Sequence, residues 1–528
     1  MTSTIPPHGL ARARAVGAVL ALLALWQFLA HLAGGMFLLA GPLAVAAHIA
    51  DNATLLGRAT LVTLQSAVLG FLIGTGIAMA LAAIAISLPR LERLVSGLAL
   101  VFFCLPFVAT GPILRVIYGV GTGPQIALAA LATYYTTFLC LMVGLRAAPA
   151  SWLDLVRSYG RGRFSELTRV RARAAIPYLV AGLQIGAPAA FLGAMVGEFT
   201  GAERGLGVLS IRAMRALDLD MTWAIATLAA VIAALAFWLC GWLGRRLGAA
   251  PPPLLITPRR DLVTPLPGAL VLSMLGQLAA IAALVLALWI GLMEAFGLSP
   301  FFAKRPADVW SFLVSAPDAP ANRATLLAAF GQTLSLTLPG YGLGLLLGAG
   351  LAVACILSPA LSATALPLAI ALRSIPIVTT APLIVLSLGR GAAGTITLVA
   401  IMIFFPTLAA CLEGARRMPG AVRDLFDSYA ASPWQRLLHA QLPAMAPAFF
   451  AAARMAVPSA LLAATTAEWL ATGTGMGSLM ALTASTSNYA MLWSAIVLLA
   501  VTASAVYALV QLLEQQILRT YASEQLAI

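Results

Sequence analysis

Charge is what this sequence has least of. Only 9% of its 528 residues are Asp, Glu, Lys or Arg, against about 25% in a soluble domain. Hydrophobic residues make up 61%, and the mean hydropathy is +0.98. That excludes a water-solvated surface over most of the chain. Lysine occurs once, as Lys304 after Ala303. A phosphate-binding P-loop needs lysine directly after glycine, so no Walker A nucleotide site exists here. The cysteines (Cys104, Cys140, Cys240, Cys355, Cys411) fall singly inside apolar stretches and form no CxxC pair, which points to buried packing residues. The histidines (His8, His31, His48, His439) show no metal-ligand spacing. No His/Asp/Glu cluster and no serine with an evident base supports an integral-membrane enzyme.

What the chain has instead is long apolar runs. About 20 such residues span a bilayer as a helix, and twelve candidates follow one another. In the first half they lie near 14–34, 60–86, 94–118, 125–146, 176–198 and 221–243. In the second they lie near 269–297, 330–357, 363–388, 394–413, 447–470 and 490–512. The first, after Arg12 and Arg14, is too long for a signal-peptide core and lacks a clear cleavage site, so it reads as a retained span. Residues 244–268, rich in proline and arginine, read as an extended linker between units 1–243 and 269–528. The fold class is all-α transmembrane, two tandem six-helix repeats.

The repeat is explicit and keeps one constant offset throughout. Thr63-Leu64 recurs as Thr333-Leu334, Gly70 and Gly74 as Gly340 and Gly344, and Pro106 and Pro112 as Pro376 and Pro382. Asp154-Leu155 returns as Asp424-Leu425, Ser158-Tyr159 as Ser428-Tyr429, and Glu198, Gly205 and Gly207 as Glu468, Gly475 and Gly477. A duplicated helical membrane unit implies a transport pathway between pseudo-symmetric halves. The formal charge of +13 follows topology: Arg90 and Arg93, then Arg157, Arg161, Arg163, Arg169, Arg171 and Arg173, then Arg245, Arg246, Arg259 and Arg260 occupy alternate connections. This is the positive-inside pattern with both termini cytoplasmic, and it argues against nucleic-acid binding.

The most polar stretches lie between spans 4 and 5. The first reads SWLDLVRSYGRGRFSELTRVRARAAIP and the second AVRDLFDSYAASPWQRLLHAQLPAMAP. Each opens as an amphipathic helix, with Leu153, Val156 and Tyr159 or Leu425, Phe426 and Tyr429 available for one face. A turn of small residues and an aromatic, Phe164 or Trp434, follow. A cytoplasmic helix with an apolar ridge suits docking on a partner protein; the alternative is a helix resting on lipid headgroups.

These segments resemble the EAA loop of binding-protein-dependent ABC transporter permeases. The span 3 prolines and the GLG or GMG after the span 5 glutamate are most similar to the nitrate, sulfonate and taurine branch. The likeness covers about residues 60–243 and 330–512. Departures are Asp154 and Asp424 for the leading glutamate, Leu-Val or Leu-Phe for Ala-Ala, Ala430 where the first copy keeps Gly160, and Ala172-Arg173 where the second copy keeps Leu442-Pro443.

The resemblance implies a permease of the type I ABC importer kind in a bacterial inner membrane. It implies two cytoplasmic ATPase subunits that bind the ATP, so the chain itself holds no cofactor and is not an enzyme. It also implies a periplasmic or lipid-anchored solute-binding protein, and a small anionic solute or, in the same branch, a vitamin precursor. The coupling residues it implies are Asp154, Leu155, Tyr159, Gly160 and Phe164, with Asp424, Leu425, Tyr429, Ala430 and Trp434. A secondary transporter of two six-span repeats is the rival reading; it would need no docking helix.

Candidate pathway residues are Pro106, Pro112, Pro376 and Pro382, matched helix-bending prolines, with Arg115, Glu198 and Glu468. The glutamates read either as gate residues or as braces for the glycine-rich turns that follow. Arg115 reads either as a charge for an anionic solute or as a snorkelling side chain, and Arg373 and Arg454 as snorkelling. The loops also differ: the first carries six arginines where the second has Arg423 and Arg436 with Asp424 and Asp427 beside them, and Arg157 is opposite in sign to its counterpart Asp427, which predicts unlike electrostatic surfaces. Ala430 is predicted to carry the backbone strain that Gly160 avoids.

Overall fold

The computed structural model describes residues 39–119, 121–199, 202–216, 218–246, 267–358, 391–416 and 420–521, with a few isolated positions besides. Among the described residues every regular element is helical, and nine helices are long and apolar enough to cross a bilayer. The first half contains α1 (Pro42–Asp51), α2 (Ala53–Ser87), α3 (Glu92–Phe103), α4 (Phe107–Tyr118), α5 (Gly123–Arg146), α6 (Ala150–Ser158), α7 (Ala172–Phe199), α8 (Leu206–Arg215) and α9 (Leu219–Arg246). The second contains α10 (Pro267–Ala295), α11 (Ala319–Leu357), α12 (Ala392–Arg416), α13 (Gly420–Ser428), α14 (Leu442–Ala467), α15 (Gly475–Ser485) and α16 (Tyr489–Tyr521).

Small residues set the packing. In lipid the hydrophobic effect does not drive helices together, so close backbone approach does. α2 lies on α5 through Gly70 and Gly74; a Cβ on Gly74 would sit 2.6 Å from the Ala130 carbonyl oxygen. α11 lies on α12 the same way, where a Cβ on Gly344 would sit 2.8 Å from the Ala400 carbonyl oxygen. The repeated glycines therefore mark helix–helix contacts. α5 and α12 form the inside of each half, packed between α2 and α7 or between α11 and α14. α10, at the other extreme, has 6% of its apolar window buried.

The stretch 94–118 is not the single rod its hydropathy predicts. α3 ends at Phe103 and α4 begins at Phe107, with extended Pro106 (φ −72°, ψ 118°) between them. Proline has no N–H to continue the ladder and pushes the residue before it out of the helical region. Pro112 lies within α4. The matching stretch 363–388, with Arg373, Pro376 and Pro382, lies largely outside the described residues, as do most of 14–34 and the interior of the linker.

The halves interlock rather than merely touch. α10, which opens the second half, packs on α3 of the first, where a Cβ on Gly97 would collide with the Ile281 side chain. α4 packs against α14, α15 and α16. Cys104 and Ile113 thereby join the second half's core around Met476, Leu492 and Ile496.

Candidate functional site

The connections between α5 and α7 and between α12 and α14 fold alike. α6 and α13 are nine-residue helices, each closed by a residue in the left-handed region: Gly160 at φ +69° and Ala430 at φ +47°. The second copy thus keeps the turn without the glycine that makes it cheap. A single helical turn follows, Arg163–Glu166 or Pro433–Arg436. In the second copy Ser432 caps it: its hydroxyl accepts from the Gln435 N–H at 3.3 Å, and its own N–H donates to Gln435 Oε1 at 2.8 Å. Each loop then enters its span through a π-helical turn, Leu167–Arg171 and Leu437–Gln441, an irregularity often found at functional positions.

The apolar ridge of the first loop differs from the one its periodicity suggests. Leu153 is buried and Val156 packs beside it against Ala148, Val170 and Ala174, so these two fasten α6 to the protein. The outward face is Trp152, Leu155 and Tyr159, continued by Phe164. Tyr159 is 76% exposed and Phe164 79%. In the second loop Leu425, Tyr429 and Trp434 are exposed in the same way, Tyr429 at 80%, and Asp154 and Asp424 are both exposed beside them. Trp152 escapes a reading by repeats because its counterpart, Val422, is unremarkable.

The sign difference between Arg157 and Asp427 is balanced by a partner within each loop. Arg157 Nε donates to Glu166 Oε1 at 2.9 Å, and this pairing raises the Arg157 pKa above its usual value. Asp427 pairs with Arg436. Glu166 and Arg436 are themselves counterparts in the repeat, so both loops hold one ion pair at one place with its polarity reversed. The contrast expected at this one position is offset inside each loop, while the excess of arginines in the first loop stands.

Glu198 and Glu468 act as braces. Glu198 is 1% exposed. The Thr63 hydroxyl donates to its Oε1 at 2.6 Å, the Gly207 N–H donates to its Oε2 at 2.6 Å, and the Leu206 N–H donates to Thr63 Oγ1 at 2.9 Å. One carboxylate therefore ties α2, the end of α7 and the start of α8 together. Glu468 repeats this with Thr333 at 3.0 Å and the Gly477 N–H at 2.8 Å, while Met476 N–H reaches Thr333 Oγ1 at 2.8 Å. The turns need glycine doubly. Gly205 and Gly475 have φ +132° and +78°, and a Cβ on either would collide with the glutamate carboxylate. Thr63 and Thr333 stand out in the sequence as a repeat, but only the structure places them on the glutamates.

Two arginines remain. Arg115 sits exposed in the last turn of α4. Arg454 does not snorkel: it is buried on α14 with Nε 3.1 Å from Glu514 Oε2 on α16, and its guanidinium lies 5.8 Å from the Tyr507 ring centre. The first half has Gln184, Gly244 and Phe237 at the matched positions, so this pair belongs to the second half alone.

Two interlocked helical repeats, each with a short helix bearing exposed aromatics ahead of a long apolar helix, define a duplicated membrane subunit. The chain belongs to the family described as binding-protein-dependent transport system inner membrane component, whose profile matches residues 72–249 and again 340–519. It is thus an ABC importer permease, a membrane subunit and not itself an enzyme. A probable ABC transporter permease of Haemophilus influenzae is 30% identical over 227 residues, 43% of this chain and 92% of that protein. The riboflavin transport permease of Chloroflexus aurantiacus is 31% identical over 230 residues, 43% of this chain and 85% of that protein. An aliphatic sulfonate permease of Bacillus subtilis, named as putative, is 24% identical over 148 residues, 28% of this chain and 54% of that protein. No solved structure matches the chain.

Proposed function

We propose that the two outward ridges, Leu155, Tyr159 and Phe164 with Asp154 and Gly160, and Leu425, Tyr429 and Trp434 with Asp424 and Ala430, dock two cytoplasmic ATPase subunits. The observation that carries this is the exposure of matched aromatics on both loops. A lone exposed tyrosine is ordinary, but two copies of the same apolar ridge on ion-paired loops suit a partner that comes twice. Their closure would draw the loops together and swing the halves between outward and inward access, with solute brought by a periplasmic or lipid-anchored binding protein. The α4 segment with Pro106, Pro112 and Arg115 would line the passage. The membrane is the bacterial inner membrane, with both termini on its cytoplasmic side.

For the solute, a small ring-containing vitamin precursor has the broader support. The riboflavin permease of Chloroflexus aurantiacus and the formylaminopyrimidine permease of Halalkalibacterium halodurans match over 85% and 80% of their lengths. A small anion of the nitrate, sulfonate or taurine kind is the second reading, supported by the sulfonate permeases and by Arg115. Uptake of labelled riboflavin, pyrimidine precursor, taurine and nitrate by cells expressing the whole transporter separates them. For docking, the Y159A/Y429A variant is expected to insert normally and lose solute-stimulated ATP hydrolysis; unchanged stimulation would place the coupling surface elsewhere.

A further inference from the structure

The two halves repeat in parallel, with the same order and direction of helices, so the axis relating them runs along the membrane normal, and a passage between them follows that axis. Equivalent residues that touch each other must lie on the axis. Phe199 and Trp469 are equivalent, and their ring centres are 6.0 Å apart at an interplanar angle of 53°. Phe199 is buried, and the contact continues into an apolar cluster of Leu192, Val196 and Ile211 from the first half with Leu470 from the second. Phe199 is the last residue of α7, whose other end leads from the docking loop. At 28 residues, α7 is about 40 Å long, so the pair stands at the far side of the bilayer from the docking surface.

We propose that Phe199 and Trp469 are the closed outer gate of the translocation passage. An apolar constriction excludes water and dissolved solutes without any charge. Each gate residue directly follows a brace: Glu198 fixes Phe199 to α2 and α8, and Glu468 fixes Trp469 to α11 and α15. The gate opens when the halves separate as bodies, which connects it to the motion of the docking loops. The inference rests on the passage running between the halves, and not on which solute crosses.

The test uses the permease purified with its ATPase subunits and reconstituted in lipid vesicles, with iodide as probe and a trapped quenchable dye as readout. In the nucleotide-free complex, F199A/W469A is expected to raise iodide entry about tenfold or more over the wild type, because truncation removes the apolar constriction. The exchange F199W/W469F, which keeps two aromatic rings on the axis, is expected to stay at the wild-type rate. Iodide entry at the wild-type rate in F199A/W469A overturns the proposal. A second measurement covers loss of folding: F199C/W469C with Cys104, Cys140, Cys240, Cys355 and Cys411 changed to alanine. Cross-linking of the two new cysteines by a short bis-maleimide is expected to proceed readily without nucleotide and several-fold more slowly after trapping with ATP and vanadate. Equal rates in the two states also overturn the gate. Neither result depends on solute identity, and loss of the ATPase subunits during purification would instead strike the docking reading.

Discussion

The buried Arg454–Glu514 pair offers a quantitative test, because the first half shows how the same fold does without it. The side chains are 9% and 8% exposed and 3.1 Å apart. Removing one partner strands a charge in a low-dielectric interior, which costs about 3–5 kcal/mol, whereas removing both is close to neutral. R454Q installs the glutamine that the first half carries as Gln184, and leaves Glu514 buried without its cation. The stacking of the guanidinium on Tyr507 is lost as well, worth about 0.5–2 kcal/mol. R454Q and E514Q are each expected to lower the thermal midpoint of the detergent-solubilised protein by several degrees. R454Q/E514Q is expected to recover most of the loss, since two amides can hydrogen-bond where two charges did. Thermal size-exclusion chromatography reads all three. Additive losses in the double variant, or wild-type stability in either single one, would show that the two charges do not compensate each other.

Three further outcomes follow from the site. A430G relieves a left-handed alanine and should stabilise the second loop by about 1 kcal/mol, while G160A should cost the first loop as much; resistance of each loop to limited proteolysis checks both. E198A leaves the Gly207 N–H without its acceptor and the Thr63 hydroxyl with only the Ala59 carbonyl in its own helix, and should destabilise by about 1–3 kcal/mol; T63V should fall in the same direction, and a midpoint unmoved by E198A would deny the brace. R157D sets two carboxylates side by side against Glu166 and should weaken ATPase retention on purification, with R157D/E166R restoring it. Retention equally poor in the reversed pair would mean that Arg157 acts on the partner and not within its own loop.

Much of this is legible without coordinates. The repeat locates the glycines at which α2 meets α5 and α11 meets α12, because small residues are what membrane helices need at close approach. Periodicity finds α6 and α13 but misjudges the first ridge. Leu153 and Val156 are apolar because they face the protein, and so short a helix has too few turns for sequence alone to tell an inner from an outer stripe. The ion pairs escape for a similar reason. Arg157 and Asp427 invite comparison with each other, while the compensating Glu166 and Arg436 stand across a turn in the same loop. Arg454 reads as interfacial because a charge near a span end usually snorkels. Its partner, Glu514, is distant in the sequence and sits on another helix.

If this single chain supplies both docking surfaces of an importer, the stoichiometry of the complex must show it. Native mass measurement of the assembly drawn from membranes through the tagged permease reads that number. One permease chain carrying two ATPase subunits is expected, with Y159A/Y429A retaining fewer. A stable complex with one ATPase subunit per permease chain, or transport that proceeds with none bound, would contradict it.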